Sequence, residues 1–150
     1  MTDYSIRRAR RDDIGAIVRM LADDQLGATR DDPDDLEPYQ RAFADIDADP
    51  NHFLAVVTFD DEPVGTLQLT VIPGLARRGA LRGQIEAVRI HAEHRGSGLG
   101  ADLMRWAIDE SRRRGCALVQ LTSDVARTDA HRFYERLGFV PSHTGFKLKL

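Results

Sequence analysis

Arg95-Gly96-Ser97-Gly98-Leu99-Gly100 is the stretch of this sequence best suited to hold an anion. Glycines at alternate positions leave backbone N–H groups without side-chain cover, and at the start of a helix those groups and the helix dipole converge on negative charge. A phosphate oxygen can approach the main chain at Gly96, Gly98 and Gly100, and the guanidinium of Arg95 can neutralise it. Three readings stand side by side: a ligand-free strand-to-helix turn, a phosphate-binding turn, and a dinucleotide fingerprint. In the last, Gly96, Gly98 and Ala101 would supply G-x-G-x-x-A and Asp124 the ribose partner. Against the fingerprint, His91 to Arg95 separate the glycines from the preceding strand. Only about 50 residues follow, too few for the second half of a doubly wound fold. A nucleoside triphosphate loop fails because no Gly-Lys-Ser/Thr is present.

Other chemically capable residues carry weaker signals. His52, His91, His94, His131 and His143 read as surface or packing residues, and no pair has metal-ligand spacing, so no metal is expected. Asp23, Asp24, Asp31, Asp32, Asp34 and Asp35 crowd one loop, where they could attract a cationic amine or simply be solvated. Arg77, Arg78 and Arg82 could hold a carboxylate or phosphonate group of a ligand or lie on the surface.

These residues need elements to position them. Tyr4 and Ile6 alternate with polar neighbours as a short edge strand does, and Asp12 or Asp13 can cap a helix carrying Ile14, Ile17, Val18, Leu21 and Ala22. After a polar stretch from Gly27 to Asp35, the stripe Leu36, Tyr39, Phe43 and Ile46 predicts a second helix ending before Pro50. Phe53 to Phe59 and Val64 to Ile72 are β-branched-rich runs joined by Asp60-Asp61-Glu62-Pro63, which predicts an antiparallel hairpin. Gln84 to Ile90 reads as a central strand, and a helix from about Ser97 to Arg114 stops at Gly115, with Arg112, Arg113 and Arg114 where the helix dipole favours cations. Ala117 to Leu121 is a continuous apolar strand, Thr128 to Leu137 a helix closed by Gly138, and Phe139 to Leu150 a final extended segment. The order is strand, two helices, three strands, helix, strand, helix, strand: an α/β fold with a mixed sheet covered on both faces. A helix between the Gln84 and Ala117 strands makes that pair parallel, and ligands tend to bind beyond the carboxyl ends of such strands.

Bulk properties bound the function. At 150 residues and 42% hydrophobic content, residues 1–150 fit one domain. The formal charge of -3 gives no basic field for nucleic acid or an anionic membrane, so neither is expected as a partner. Met1 to Asp13 lacks the apolar core of a secretion signal, and no apolar run approaches a bilayer span. Cys116 is the sole cysteine, which excludes an intrachain disulfide and suits a reducing cytoplasm.

Residues 88 to 100, Val-Arg-Ile-His-Ala-Glu-His-Arg-Gly-Ser-Gly-Leu-Gly, resemble the acetyl-CoA-binding segment of the GNAT N-acetyltransferase superfamily, whose signature Arg/Gln-x-x-Gly-x-Gly/Ala is met by Arg95, Gly98 and Gly100. A second block, Ala130-His-Arg-Phe-Tyr-Glu-Arg-Leu-Gly-Phe139, is similar to the family's Ala-x-x-Phe-Tyr-x-x-x-Gly-Phe. Two motifs in this order, separated by one helix and one strand, are specific, and the element order agrees with the family fold over essentially the whole chain. One position departs: many members carry Asn three residues before that alanine, where this chain has Arg127.

The resemblance implies an N-acetyltransferase that uses acetyl-CoA as cosubstrate and acetylates a small-molecule amine, often as a homodimer. The alternative is a non-catalytic CoA-sensing or partner-binding domain on the same fold. The pyrophosphate would rest on the main-chain N–H groups of Gly96, Ser97, Gly98, Leu99, Gly100 and Ala101, beside Arg95. The pantetheine would pair like an added strand with Val88, Arg89 and Ile90, and Arg127 and Phe133 would border the cofactor arm. Tyr134 falls on the family's thiolate-protonating tyrosine, and a phenol of pKa about 10 remains protonated at neutral pH; the other reading is a core residue, since Ala130, Phe133, Tyr134 and Leu137 form a helical stripe expected to be buried. The arriving ammonium must lose a proton before attack, and Glu86 is the candidate base. Strict alternation puts Glu86 on one face with Val88 and Ile90 of a buried central strand, where desolvation would raise its pKa; the other reading is a substrate-orienting carboxylate or a salt bridge to Arg89 or Arg82.

Overall fold

In the computed structural model, which describes residues 3–150, five strands form one sheet in the order β1-β2-β3-β4-β5. Met1 and Thr2, at the start of the segment read for a secretion signal, lie outside the described residues. The strands are β1 (Tyr4–Arg8), β2 (His52–Phe59), β3 (Glu62–Ile72), β4 (Leu81–Ile90) and β5 (Cys116–Gln120). β1 to β4 meander antiparallel, and β4 pairs parallel with β5. The expected hairpin is therefore present, with Asp60 and Asp61 in the left-handed region at its tip.

Helices α1 (Ile14–Ala22) and α3 (Glu37–Ala48) cover one face, joined through the single turn α2 (Gly27–Arg30). Ile14, Ile17, Val18 and Met20 pack there with Phe43 and Val56. Helix α5 (Leu99–Arg113) covers the other face, where Leu99, Leu103, Met104 and Ala107 meet Ala55, Val57, Leu67, Leu69 and Ile85. A single turn, α4 (Ala76–Gly79), precedes β4 with Arg77 and Arg78 in the left-handed region, and α6 (Thr128–Arg136) follows β5. No described helix is long and apolar enough to cross a membrane.

Three departures from the sequence reading matter. Asp13 caps no helix by side-chain bond to α1; its carboxylate takes both terminal nitrogens of Arg7, at 2.7 and 3.0 Å, and the Arg10 N–H at 2.7 Å, tying β1 to the helix start. Residues 139–150 join no strand, and the Ser142 N–H turns back to the Val140 carbonyl at 2.8 Å, so the final strand of the expected order is missing from the sheet. β4 also carries an irregularity that no glycine announces. Thr66 faces Arg89 and Gln68 faces Glu86, so β4 spends one extra residue there, and Ala87 lies at φ +56°. That is a β-bulge, and one extra residue exchanges the faces of everything beyond it.

Candidate active site

β4 and β5 pair only from Leu81 with Cys116 to Gln84 with Gln120, where the Gln120 side chain donates to Gln84 Oε1 at 2.9 Å. Beyond Gln84, β4 runs on to Ile90 without a partner on that side, while β5 stops at Gln120. The strands thus part at their carboxyl ends, and the bulge sits in the opening. This is where a ligand is expected in such a sheet.

The bulge corrects the placement of Glu86. Ile85 and Gly83 face α5, since a Cβ on Gly83 would touch Ser111 of that helix. Val88 and Ile90 also pack on the α5 side. Glu86 shares the opposite face with Gln84 and Arg89, whose cross-strand neighbours Gln68 and Thr66 line a groove under α1 and α3 that includes Tyr39, Phe43 and Ala87. The assumption that Glu86 shares a face with Val88 and Ile90 fails because of the extra residue. Glu86 is also exposed, so the burial expected for it is absent.

The glycine turn lies at the mouth of the opening. Gly96 and Gly98 have φ of +78° and +84°, and open space surrounds the position a Cβ would take in each. Gly98 is the N-cap of α5, and the Leu99 side chain is buried, so only its main chain can face a ligand. Ser97 Oγ donates to the His94 carbonyl at 2.6 Å, shaping the turn. Arg95 Nε donates to the Ile90 carbonyl at 3.0 Å, and its terminal nitrogen lies 3.5 Å from Asp23, so this guanidinium is held at the rim. At Gly100 a Cβ would come within 3.6 Å of Phe133 Cζ and 3.7 Å of Ile90 Cγ1, so α6 packs directly against the turn.

That contact brings Tyr134 to the site. Its ring lies 5.3 Å from that of Phe133 and 6.0 Å from that of Phe139, half-buried. The expected α6 stripe of Ala130, Phe133, Tyr134 and Leu137 is only half-buried throughout. Burial raises the Tyr134 pKa above its ordinary value, and Arg89 and Arg127 oppose that rise without cancelling it. The phenol therefore keeps its proton at neutral pH.

Arg89, Arg127 and Asp24 form a cluster beside it. Arg127 NH1 lies 2.8 Å from Asp24 Oδ2 and its NH2 lies 3.4 Å from Oδ1, while Gly27 N–H also bonds Oδ1. Arg89 Nε stands 3.6 Å from Asp24 Oδ2, beyond hydrogen-bond reach, and it is a buried nitrogen with no partner. Burial lowers the Arg89 pKa first, and the nearby Arg127 lowers it further, with Asp24 partly offsetting both. The Asp24 carboxyl is held below its usual range: burial acts upward, and the bonds from Arg127 and Gly27 outweigh it.

The acidic loop is therefore largely engaged with the protein itself. Asp23 meets Arg95, Asp24 meets Arg127, and Asp31 accepts from the Tyr39 hydroxyl at 3.0 Å. Arg82, Arg77 and Arg78 lie at the opposite end of β4 from the opening. No local signal in the sequence could have marked the role of Asp24, because Arg127 lies 103 positions along the chain from it. Among the described residues no group of three or more His, Cys, Asp or Glu could hold a metal ion.

Known proteins agree with this architecture. Residues 16–139 match the model of the Acetyltransferase (GNAT) family. The aminoalkylphosphonate N-acetyltransferase of Salmonella typhimurium is 32% identical over 112 residues, 75% of this chain and 72% of that protein. The glucosamine 6-phosphate N-acetyltransferase of Trypanosoma brucei brucei is 36% identical over 87 residues, with 58% of this chain and 57% of that protein covered. A solved transcriptional regulator from Bacillus halodurans C-125 superposes with a TM-score of 0.94 at 45% identity, over 98% of this chain and 99% of that one. With its motifs at the parted strands and a family match over most of its length, the chain belongs to the GNAT acetyltransferase family.

Proposed function

We propose that the protein transfers the acetyl group of acetyl-CoA to a primary amine of a small molecule by direct attack of the amine on the thioester. The observation that carries this reading is the protonated phenol of Tyr134, set against the turn at residues 95–100 through the contact of Phe133 with Gly100. The N–H groups from Gly96 to Ala101 hold the pyrophosphate, and open space at Gly96 and Gly98 leaves room for it. The unpaired edge of β4 at Val88, Arg89 and Ile90 takes the pantetheine. In the reaction the amine nitrogen bonds to the acetyl carbon, the carbon–sulfur bond breaks, the Tyr134 hydroxyl gives its proton to the leaving sulfur, and the proton the nitrogen sheds as the amide forms returns to the Tyr134 oxygen through water. Glu86, exposed on the acceptor side of β4, takes the proton of the ammonium, directly or through water.

Both N-acetyltransferases named above act on amines that carry a phosphonate or a phosphate, which supports a small-molecule acceptor. A second reading, a CoA-sensing domain without turnover, draws on the name of the Bacillus halodurans relative, a transcriptional regulator. Thiol release from acetyl-CoA over a panel of amino acids, aminophosphonates, amino sugars, polyamines and peptides separates the two. Amine-dependent release supports the transferase; tight CoA binding with no release for any amine supports the sensor.

A further inference from the structure

Arg89 and Arg127 share one carboxylate. Asp24 spends its oxygens on Arg127 and the Gly27 N–H, leaving Arg89 with a single hydrogen bond, from its NH1 to the Val88 carbonyl at 2.9 Å. The pair therefore carries one positive charge more than Asp24 alone can neutralise; Asp31 and Asp124 also act on it from farther away, but Asp31 is bonded to the Tyr39 hydroxyl and Asp124 is paired with Arg30. Both side chains are about three-quarters shielded from solvent, at 20% and 25% exposure. A guanidinium does not escape such a position by losing its proton, so its stable partner is an anion. Arg89 lies on the same face of β4 as Glu86, the next such position along the strand across the bulge. Neighbouring same-face positions are about 7 Å apart.

We propose that Arg89 and Arg127 form the anion-binding half of the acceptor site, so that the acetylated amine also carries a carboxylate, phosphonate or phosphate a few bonds from its nitrogen. This rests on the transferase reading: the acid docks on the guanidinium pair while the amine lies near Glu86 and the thioester. A planar guanidinium fork suits both carboxylate and tetrahedral acid oxygens.

Acceptors of matched skeleton test it: ethylamine, β-alanine and 2-aminoethylphosphonate, with kcat/KM measured for the parent and for Arg89→Gln. The parent should favour one or both acids over ethylamine by at least about 100-fold, as expected when a buried charge is otherwise left unpaired. Arg89→Gln should reduce that ratio to within about tenfold, and Arg89→Lys should restore part of it. Which acid is preferred identifies the acidic group. Equal use of ethylamine by the parent, or a ratio unchanged in Arg89→Gln, overturns the proposal. Calorimetry with methylphosphonate and with acetate, in the absence of acetyl-CoA, keeps the test independent of catalysis. If no amine is acetylated the transferase reading falls, yet binding of either anion by the parent and its loss in Arg89→Gln would still place the anion site. Binding of neither overturns it.

Discussion

A phenol can protonate a departing thiolate only while it still holds its own proton, and two opposing influences set that condition at Tyr134. Burial disfavours phenolate, while Arg89 and Arg127 favour it, and burial prevails. Tyr134→Phe keeps the ring that packs on Phe133 and Phe139 and removes only the hydroxyl. kcat should fall by roughly 10²–10⁴-fold with CoA affinity nearly unchanged, as for loss of a general acid. A kcat equal to the parent's across the pH range would reduce Tyr134 to a packing residue. Tyr134 and the glycine turn were legible because each sits in a short block whose spacing is local. Asp24 was not, because its partners Arg89 and Arg127 come from distant parts of the chain and meet it only in the folded state.

At the scale of elements, periodicity located both outer layers and every strand of the sheet to within a few residues. The misses have physical causes. Ala87 holds a left-handed conformation that alanine rarely adopts, so nothing in the residue types marks the bulge, and the face of Glu86 inverts unseen. Strand alternation in residues 146–150 is real, but alternation cannot say which sheet the segment joins. The helix-opening turn was more legible, since glycine is the residue that tolerates positive φ. Gly98→Val tests it: valine at φ +84° is strained, and its side chain would fill the open space over the α5 N-terminus. CoA affinity should drop by at least about tenfold, a cost of about 1.4 kcal/mol. A folded Gly98→Val protein with parental affinity by calorimetry would move the pyrophosphate elsewhere.

Across the whole molecule, ion pairs fasten the layers together, and they set how the fold responds to acid. Asp13 joins β1 to the start of α1 through Arg7, Asp24 joins the α1–α2 loop to α6 through Arg127, and Glu110 gathers Arg113 and Arg114 at the end of α5. Arg114 then reaches the Pro50 carbonyl at 3.0 Å and stands 5.6 Å from the centre of the Phe53 ring, anchoring α5 to the start of β2. All three carboxyls titrate below their ordinary values in the folded protein. Hydrogen bonds from Arg113 and Arg114 bring Glu110 down to about 2, against burial. A carboxyl with a depressed folded-state pKa adds stability that is complete above its unfolded value, near 4, and is lost as pH falls through the folded value. Tm should thus be level above about pH 5 and decline steadily toward pH 2. Glu110→Gln removes one such contribution. Because Arg113 is 70% exposed and screened by solvent, while Arg114 is 20% exposed, the loss at pH 7 should be about 1 kcal/mol, or about 2–4 °C in Tm. Near pH 2 the parent's Glu110 is itself half protonated, so the gap between parent and variant should shrink. Thermal melts of both proteins from pH 7 to pH 2 check this, and a Tm difference that stays constant over that range would show that packing of the Glu110 side chain, not its charge, holds the end of α5.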